Sequence, residues 1–232
     1  WGGVRFYYAA FPFWWPRSGS QRKEDMKVLV ACEFSGTVRE AFNSLAGVHA
    51  VSCDLLPAED GRSDYHHQGD VREILGDGWD MLIAFPDCTY LCGSGLHWNN
   101  RGRGWEETDK ALDFVRCLMA APIKRKAIEN PVGLISTRIK PASQYIQPNW
   151  FGHDASKKTG LWLDRLPPLL PTKRIAGRIV EWPKGSGKFK ERWANQTDSG
   201  QNKLPPSDDR WKDRARTYPG IAMAMAEQWG RL

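Results

Sequence analysis

Two short runs carry residues that could do chemistry. Ile83-Ala84-Phe85-Pro86-Asp87-Cys88-Thr89 carries a thiol, and Ala127-Ile128-Glu129-Asn130-Pro131 delivers a carboxyl group. Each run reads as a buried strand that leads straight into a reactive polar residue. A thiolate is a strong nucleophile. A carboxyl group in apolar surroundings keeps its proton and can donate it. Set side by side, Cys88 and Glu129 are the parts needed to add to a pyrimidine ring at one carbon and activate it at a ring nitrogen. Asp87 opposes this, because a neighbouring negative charge raises a thiol pKa. Either Asp87 points away or Cys88 ionises only in a complex. Pro86 stiffens the approach to the thiol. The plain alternative for Cys88 is a small buried residue at a strand end. Glu129 weighs against it, since a buried Glu is costly without a task or a partner.

A second set of polar residues lies at the ends of earlier apolar runs. Lys27-Val28-Leu29-Val30-Ala31-Cys32 leads into Glu33-Phe34-Ser35-Gly36, a tight turn with a helix start behind it. Such a turn lets a ligand approach backbone N–H groups at a helix N-terminus. Val48–Cys53 leads to Asp54, placed to hold ribose hydroxyls. Gly69-Asp70-Val71 offers a third acid, able to accept from an adenine amino group. No GxGxxG occurs, which disfavours a dinucleotide redox cofactor.

The elements that must position these residues follow from the pattern. Val28–Cys32, Val48–Cys53, Met81–Phe85 and Lys126–Glu129 read as strands, and Thr37–Phe42 and Thr108–Met119 as helices. The segment between Asp54 and Gly69, with His66-His67, reads as loop. Alternating strands and helices predict an α/β fold with a doubly wound, mostly parallel sheet. Ligands of such sheets gather at the carboxyl ends of the strands. Glu33, Asp54, Asp70, Cys88 and Glu129 all belong to that edge.

The order of these motifs resembles the DNA cytosine-5 methyltransferases, most of all their short, phage-type members. The stretches Phe151-Gly152-His153 to Leu163 and Arg214 to Trp229 are similar to the same proteins, so the likeness runs from about Met26 to Trp229. It implies a class I AdoMet-dependent, Rossmann-like methyltransferase fold with a small, irregular, basic recognition region. Cys88 is then the nucleophile toward carbon 6 of a flipped cytosine, and Glu129 the acid at N3. S-adenosyl-L-methionine is the implied cofactor. Its expected wall is Glu33, Phe34, Ser35, Gly36, Asp54, Leu55, Asp70, Val71, Phe85 and Pro86. The family's Pro-Pro-Cys-Gln reads Pro86-Asp87-Cys88-Thr89 here. Its Gln-x-Arg-x-Arg segment has no clean match, and Arg138 is the candidate for the cytosine-holding arginine. Related alternatives are a pyrimidine-modifying enzyme acting on RNA, on a free nucleotide or with a modified AdoMet, and a DNA-binding protein without catalysis.

Charge supports a polyanionic partner, expected to be double-stranded DNA. The chain carries a net charge of +6, and from Trp150 to Leu232 there are 16 Lys and Arg against 9 Asp and Glu. The remainder holds 17 against 18, so the whole basic excess lies in this last third. Lys157, Lys158, Arg174, Lys188, Lys190 and Arg192 are the expected DNA contacts, interleaved with Trp residues. His153 reads as structural. The expected organisation is a catalytic domain over 26–149, a recognition region over 150–212 and a returning C-terminal helix over 213–232. Residues 1–25, aromatic and then charged, read as a non-native or upstream-translated extension ahead of Met26. The five cysteines lack zinc-type spacing, so no metal is expected, and reduced thiols fit a cytoplasmic protein. No apolar run of about 18 residues occurs, so no membrane span is expected. The expected protein is a monomer, encoded by a phage or prophage and active in a bacterial cytoplasm.

Overall fold

The computed structural model describes residues 25–96 and 98–232. The segment read as an extension lies, but for its last residue, outside them. The chain forms β1 (Met26–Ala31), α1 (Thr37–Asn43), β2 (Val48–Asp54), β3 (His66–Gln68), β4 (Met81–Ala84), α2 (Gly93–Leu96) and α3 (Glu106–Ala120). It continues with β5 (Arg125–Pro131), α4 (Ile135–Arg138), β6 (Gln144–Ile146), β7 (Thr159–Asp164), β8 (Arg178–Glu181), β9 (Phe189–Arg192), α5 (Arg210–Ala215) and α6 (Pro219–Trp229).

Seven strands make one sheet in the order β3-β2-β1-β4-β5-β7-β6. The β3-β2-β1-β4-β5 part is parallel throughout, while β7 runs antiparallel to both β5 and β6. Strands buried on both faces need continuous apolar runs rather than alternation, and the sequence supplies them. Val28 and Val30 pack with Phe42, Met225 and Trp229 on one face. Leu29 and Ala31 pack with Leu112, Val115 and Leu118 of α3 on the other. Strand order reverses at β1, between β2 and β4, which makes the carboxyl ends of β1 and β4 the natural ligand crevice.

Four expectations change. His66–Gln68 is not loop but strand β3, paired with Ser52–Asp54. It sits at the sheet edge, where a polar strand is tolerated, so it lacks an apolar signature. Strand β5 does not stop at Glu129 but runs through Asn130 and Pro131, with Leu161 opposite Glu129. The segment 150–212 is not separate from the sheet, because β7 lies inside it with Leu161 and Trp162 buried. Nor is the rest of that segment irregular throughout, since β8 and β9 form a hairpin of their own. The C-terminal helix α6 packs on α1. Among the described residues no helix is long and apolar enough to cross a membrane.

Candidate active site

Two cavities of about 530 and about 670 Å³ open side by side at the carboxyl edge of the sheet. Cys32, Asp54, Pro86 and Asp87 line both, so they are two halves of one crevice. Cys32 follows β1 with φ 58, a left-handed conformation that is rare for a residue with a side chain. Backbone strain of this kind clusters at functional sites.

The smaller half holds Asp54, Leu55, Asp70 and Val71, with Phe114 and Lys110 from α3. Burial raises the pKa of Asp54, while Leu56 N–H donates to its Oδ1 at 2.9 Å. Asp70 is engaged from the solvent side: Arg72 Nε donates to both carboxylate oxygens at 2.9 Å and holds its pKa below the usual range.

The larger half holds Cys88 and Glu129 together, with Phe34, Phe85, Lys157 and Trp211 among its walls. The Pro86-Asp87-Cys88 segment is tied to β5. Buried Asn130 donates from Nδ2 to Pro86 O at 2.7 Å. Its Oδ1 is buried without a partner among the described residues. Such an orphan acceptor costs about 1–3 kcal/mol, which makes Asn130 a constrained feature of the site. Asp87 accepts from Thr89 N at 2.9 Å and from Thr89 Oγ1 at 2.8 Å. Its carboxylate therefore closes a local turn.

The electrostatics keep the thiol protonated. The hydrogen bond between the Cys88 and Cys92 thiols comes first among the causes that raise the Cys88 pKa, ahead of burial and Asp87. Cys92 lies one turn on, its N–H donating to Cys88 O at 2.9 Å. Burial also raises the Glu129 pKa, favouring its neutral form. Lys157 lowers both. Its Nζ donates to Arg214 O at 2.9 Å, which links the crevice floor to α5. Lys157 precedes β7, the strand paired with β5, and this places it opposite Glu129's end of the sheet.

The turn after β1 differs from its expected form. Glu33 does not leave the α1 N-terminus open to a ligand. Its carboxylate turns inward and accepts from Val38 N at 2.6 Å and Arg39 N at 3.2 Å. Burial nevertheless raises its pKa to about 7. Ser35 Oγ donates to Thr37 Oγ1 at 3.1 Å. Gly36 has φ 72, and a Cβ there would stand 2.4 Å from Arg39 Nη2. The turn thus starts α1 around the buried Arg39, and it is Phe34 that lies against Trp211, at 6.0 Å between ring centroids.

Arg138 is not brought to the crevice. It is exposed on α4 and stacks over Trp105 at 5.9 Å. Lys157, taken from sequence as a contact on the basic surface, is the cation beside Cys88 and Glu129 instead. The signal that would have found it is the β5–β7 pairing, which is non-local. Lys158 lies over Tyr145 at 4.6 Å and Arg174 over Trp150 at 5.1 Å. Lys188, Lys190 and Arg192 all lie on the β8–β9 hairpin. His153 is structural, accepting from Gly220 N at 2.9 Å.

Gly133 sets the spacing between the loops after β4 and β5. A Cβ there would stand 2.0 Å from Leu91 O and 2.8 Å from Cys92 Cα. Backbone cannot rotate away, so Gly133→Ala is expected to cost about 1–3 kcal/mol by overpacking. The urea midpoint reads the loss. Cys88 should also react faster with iodoacetamide, because the loop that buries it is displaced.

No family model and no curated protein matches the sequence. Among solved structures the chain is similar to a methyltransferase of Entamoeba histolytica, EhMeth, at 14% identity with a TM-score of 0.44. The match covers 66% of this chain, and the chain spans 59% of that one.

Proposed function

We propose that the protein transfers a methyl group from S-adenosyl-L-methionine to carbon 5 of cytosine in DNA, through a covalent bond between Cys88 and carbon 6. The observation that carries this reading is the shared crevice: Cys88 and Glu129, from separate strands, line one cavity that joins a second one at Asp54. The smaller half fits the cofactor. Its volume is that of a small-molecule site, the half-buried Asp54 suits a ribose diol, and Val71 and Phe114 suit an adenine. The bound cofactor would supply an electrophilic methyl group.

The chain's own residues do the rest. Cys88 gives its proton to water, and its sulfur pair forms a bond to carbon 6. The ring electrons move toward N3 and carbon 5, and Glu129 donates its proton at N3. Carbon 5 then carries the electron pair that takes the methyl group. Water takes the carbon-5 proton, the freed pair re-forms the double bond to carbon 6 as the carbon–sulfur bond breaks with its pair on Cys88, and N3 returns its proton to Glu129. Asn130 holds Pro86, and so the thiol's direction, throughout. Lys157 favours the thiolate, against the Cys92 contact and burial.

Incubation with labelled AdoMet and a duplex containing 5-fluorocytosine tests the reading, because fluorine cannot leave as a proton does and a working enzyme stays bound. No adduct and no label on DNA sinks it. Capture only of RNA or free nucleotide moves the substrate. Lys157→Met is expected to slow alkylation of Cys88 by iodoacetamide about tenfold near neutral pH, the effect of losing a nearby opposite charge on one ionisation. The pH profile of Cys88 alkylation should move to higher pH. An unmoved profile assigns Lys157 a structural role only.

A further inference from the structure

Cys88 and Cys92 stand at the two ends of one helical turn. Cys88 O accepts from Leu91 N at 3.1 Å and from Cys92 N at 2.9 Å. The turn brings the two thiols into hydrogen-bond contact. Both line the larger half of the crevice, so that cavity opens onto the pair. Their exposures differ: Cys88 is half-buried, whereas Cys92 is only 7% exposed. Cys92 is also held from behind. It bridges Gly133, and Leu134 N donates to Leu91 O at 2.8 Å. The chemistry proposed above uses Cys88 and gives Cys92 no task.

The other three thiols are placed differently. Cys53 is buried, and its Sγ donates to Gly69 O at 3.5 Å. Cys117 lies on α3 and packs toward the core beneath that helix. Cys32 lines the crevice from the end of β1, on a backbone held at φ 58. A half-buried thiol in an open cavity that lacks a partner thiol is oxidised onward to sulfinic acid, which thiol reductants do not reverse. A second thiol in contact intercepts the oxidised sulfur first.

We infer that Cys88 and Cys92 form a reversible oxidation site for hydroperoxides, in which Cys92 rescues the oxidised Cys88 by closing an intrachain disulfide. In the first step the Cys88 sulfur pair attacks one peroxide oxygen and the O–O bond breaks. The other oxygen leaves with the thiol proton, as water or an alcohol, and Cys88 becomes a sulfenic acid. In the second step the Cys92 sulfur pair attacks Cys88 Sγ and the S–O bond breaks. The hydroxide leaves with the Cys92 proton as water. Two electrons have passed from the thiols to the peroxide. Residues four apart on a helical turn have Cβ atoms about 5–6 Å apart, and a disulfide needs about 3.5–4.5 Å. The turn must therefore tighten by about 1–2 Å, with Cys92 held at Gly133 and Cys88 moving. A strained bond of this kind is readily reduced, so ordinary thiols reopen it. The disulfide itself does not depend on the proposed methyl transfer. Its effect on that reaction does, because a Cys88 sulfur held by Cys92 cannot bond to carbon 6.

Peptide mapping of the full chain tests this. Wild type and Cys92→Ser are treated with hydrogen peroxide, quenched with catalase, alkylated with iodoacetamide and digested with trypsin. No Lys or Arg lies between Arg72 and Arg101, so both thiols fall in one peptide. The expected wild-type product is this peptide without alkylation and lighter by two hydrogens. After dithiothreitol it takes up both alkyl groups. Cys92→Ser should carry Cys88 to sulfinic acid, with less than about a tenth of the thiol recovered by dithiothreitol. An unchanged thermal midpoint shows that the variant is folded, and the wild-type map decides even where it is not. A wild-type peptide that stays fully alkylated, one that ends as sulfinic acid, or Cys88 joined to the peptide of Cys32, Cys53 or Cys117 overturns the inference. Capture of 5-fluorocytosine is read separately. Capture lost on oxidation and restored by dithiothreitol supports both the oxidation site and the chemistry. A disulfide without capture by the reduced wild type supports the oxidation site and overturns the chemistry. Capture by the reduced wild type without a disulfide on oxidation overturns the oxidation site alone.

Discussion

Cys88→Ala is expected to eliminate both the 5-fluorocytosine adduct and methyl transfer, a loss of at least about four orders of magnitude. Removing a covalent nucleophile disables every later step, and losses of this size or larger follow in other covalent enzymes. The variant should fold normally. Cys88 is only partly buried, and its removal deletes one weak thiol contact, with Cys92. Binding of AdoMet should also survive, because Cys88 lines the larger half of the crevice and not the smaller. The informative outcome is therefore a folded, cofactor-binding protein that forms no adduct, checked by denaturing gel shift and by label on DNA. Residual methylation by the variant excludes the covalent mechanism. An adduct that persists would move the nucleophile to another thiol, and Cys92 and Cys32 are the thiols that also line this half.

The sequence made the parallel part of the sheet legible because its strands are buried on both faces. Val28–Ala31 and Met81–Ala84 are unbroken apolar runs, and such runs have few other uses at that length. The polar residues that follow them lie at one edge, so Asp54, Cys88 and Glu129 could be grouped before any coordinates. Three things were hidden for physical reasons. The edge strand His66–Gln68 makes a parallel ladder with little burial, so composition carries no trace of it. The pairing of β7 with β5 joins segments far apart in sequence, and no local pattern encodes it. That pairing brings Lys157 to Glu129, while Arg138, closer in sequence, turns to Trp105. Glu33 shows a different limit. A strand-end carboxylate and a helix-capping carboxylate have the same sequence signature, and only the hydrogen bonds from Val38 and Arg39 separate them.

Glu129→Gln should slow methyl transfer about 10²–10³-fold, within the range that a positioned acid contributes. Glutamine keeps the shape and can donate a hydrogen bond to N3, but it cannot give up a proton there. The pH dependence sharpens this. The proposed mechanism needs Glu129 protonated and Cys88 ionised at the same time. The Cys92 thiol and then burial raise the Cys88 pKa, burial raises that of Glu129, and a thiol's ordinary value already lies above a carboxyl group's. Below both values the rate rises with pH as the thiolate fills. Between them, each gain in thiolate is offset by an equal loss of protonated Glu129, so the profile is flat. The glutamine variant has no carboxyl group to lose. Its rate should climb about tenfold per pH unit through the wild-type plateau, as expected for one ionisation. The deficit then shrinks as pH rises. Parallel profiles for the two proteins, or a variant within threefold of wild type at neutral pH, would remove Glu129 from proton transfer and leave it a partner of Lys157 and Thr159.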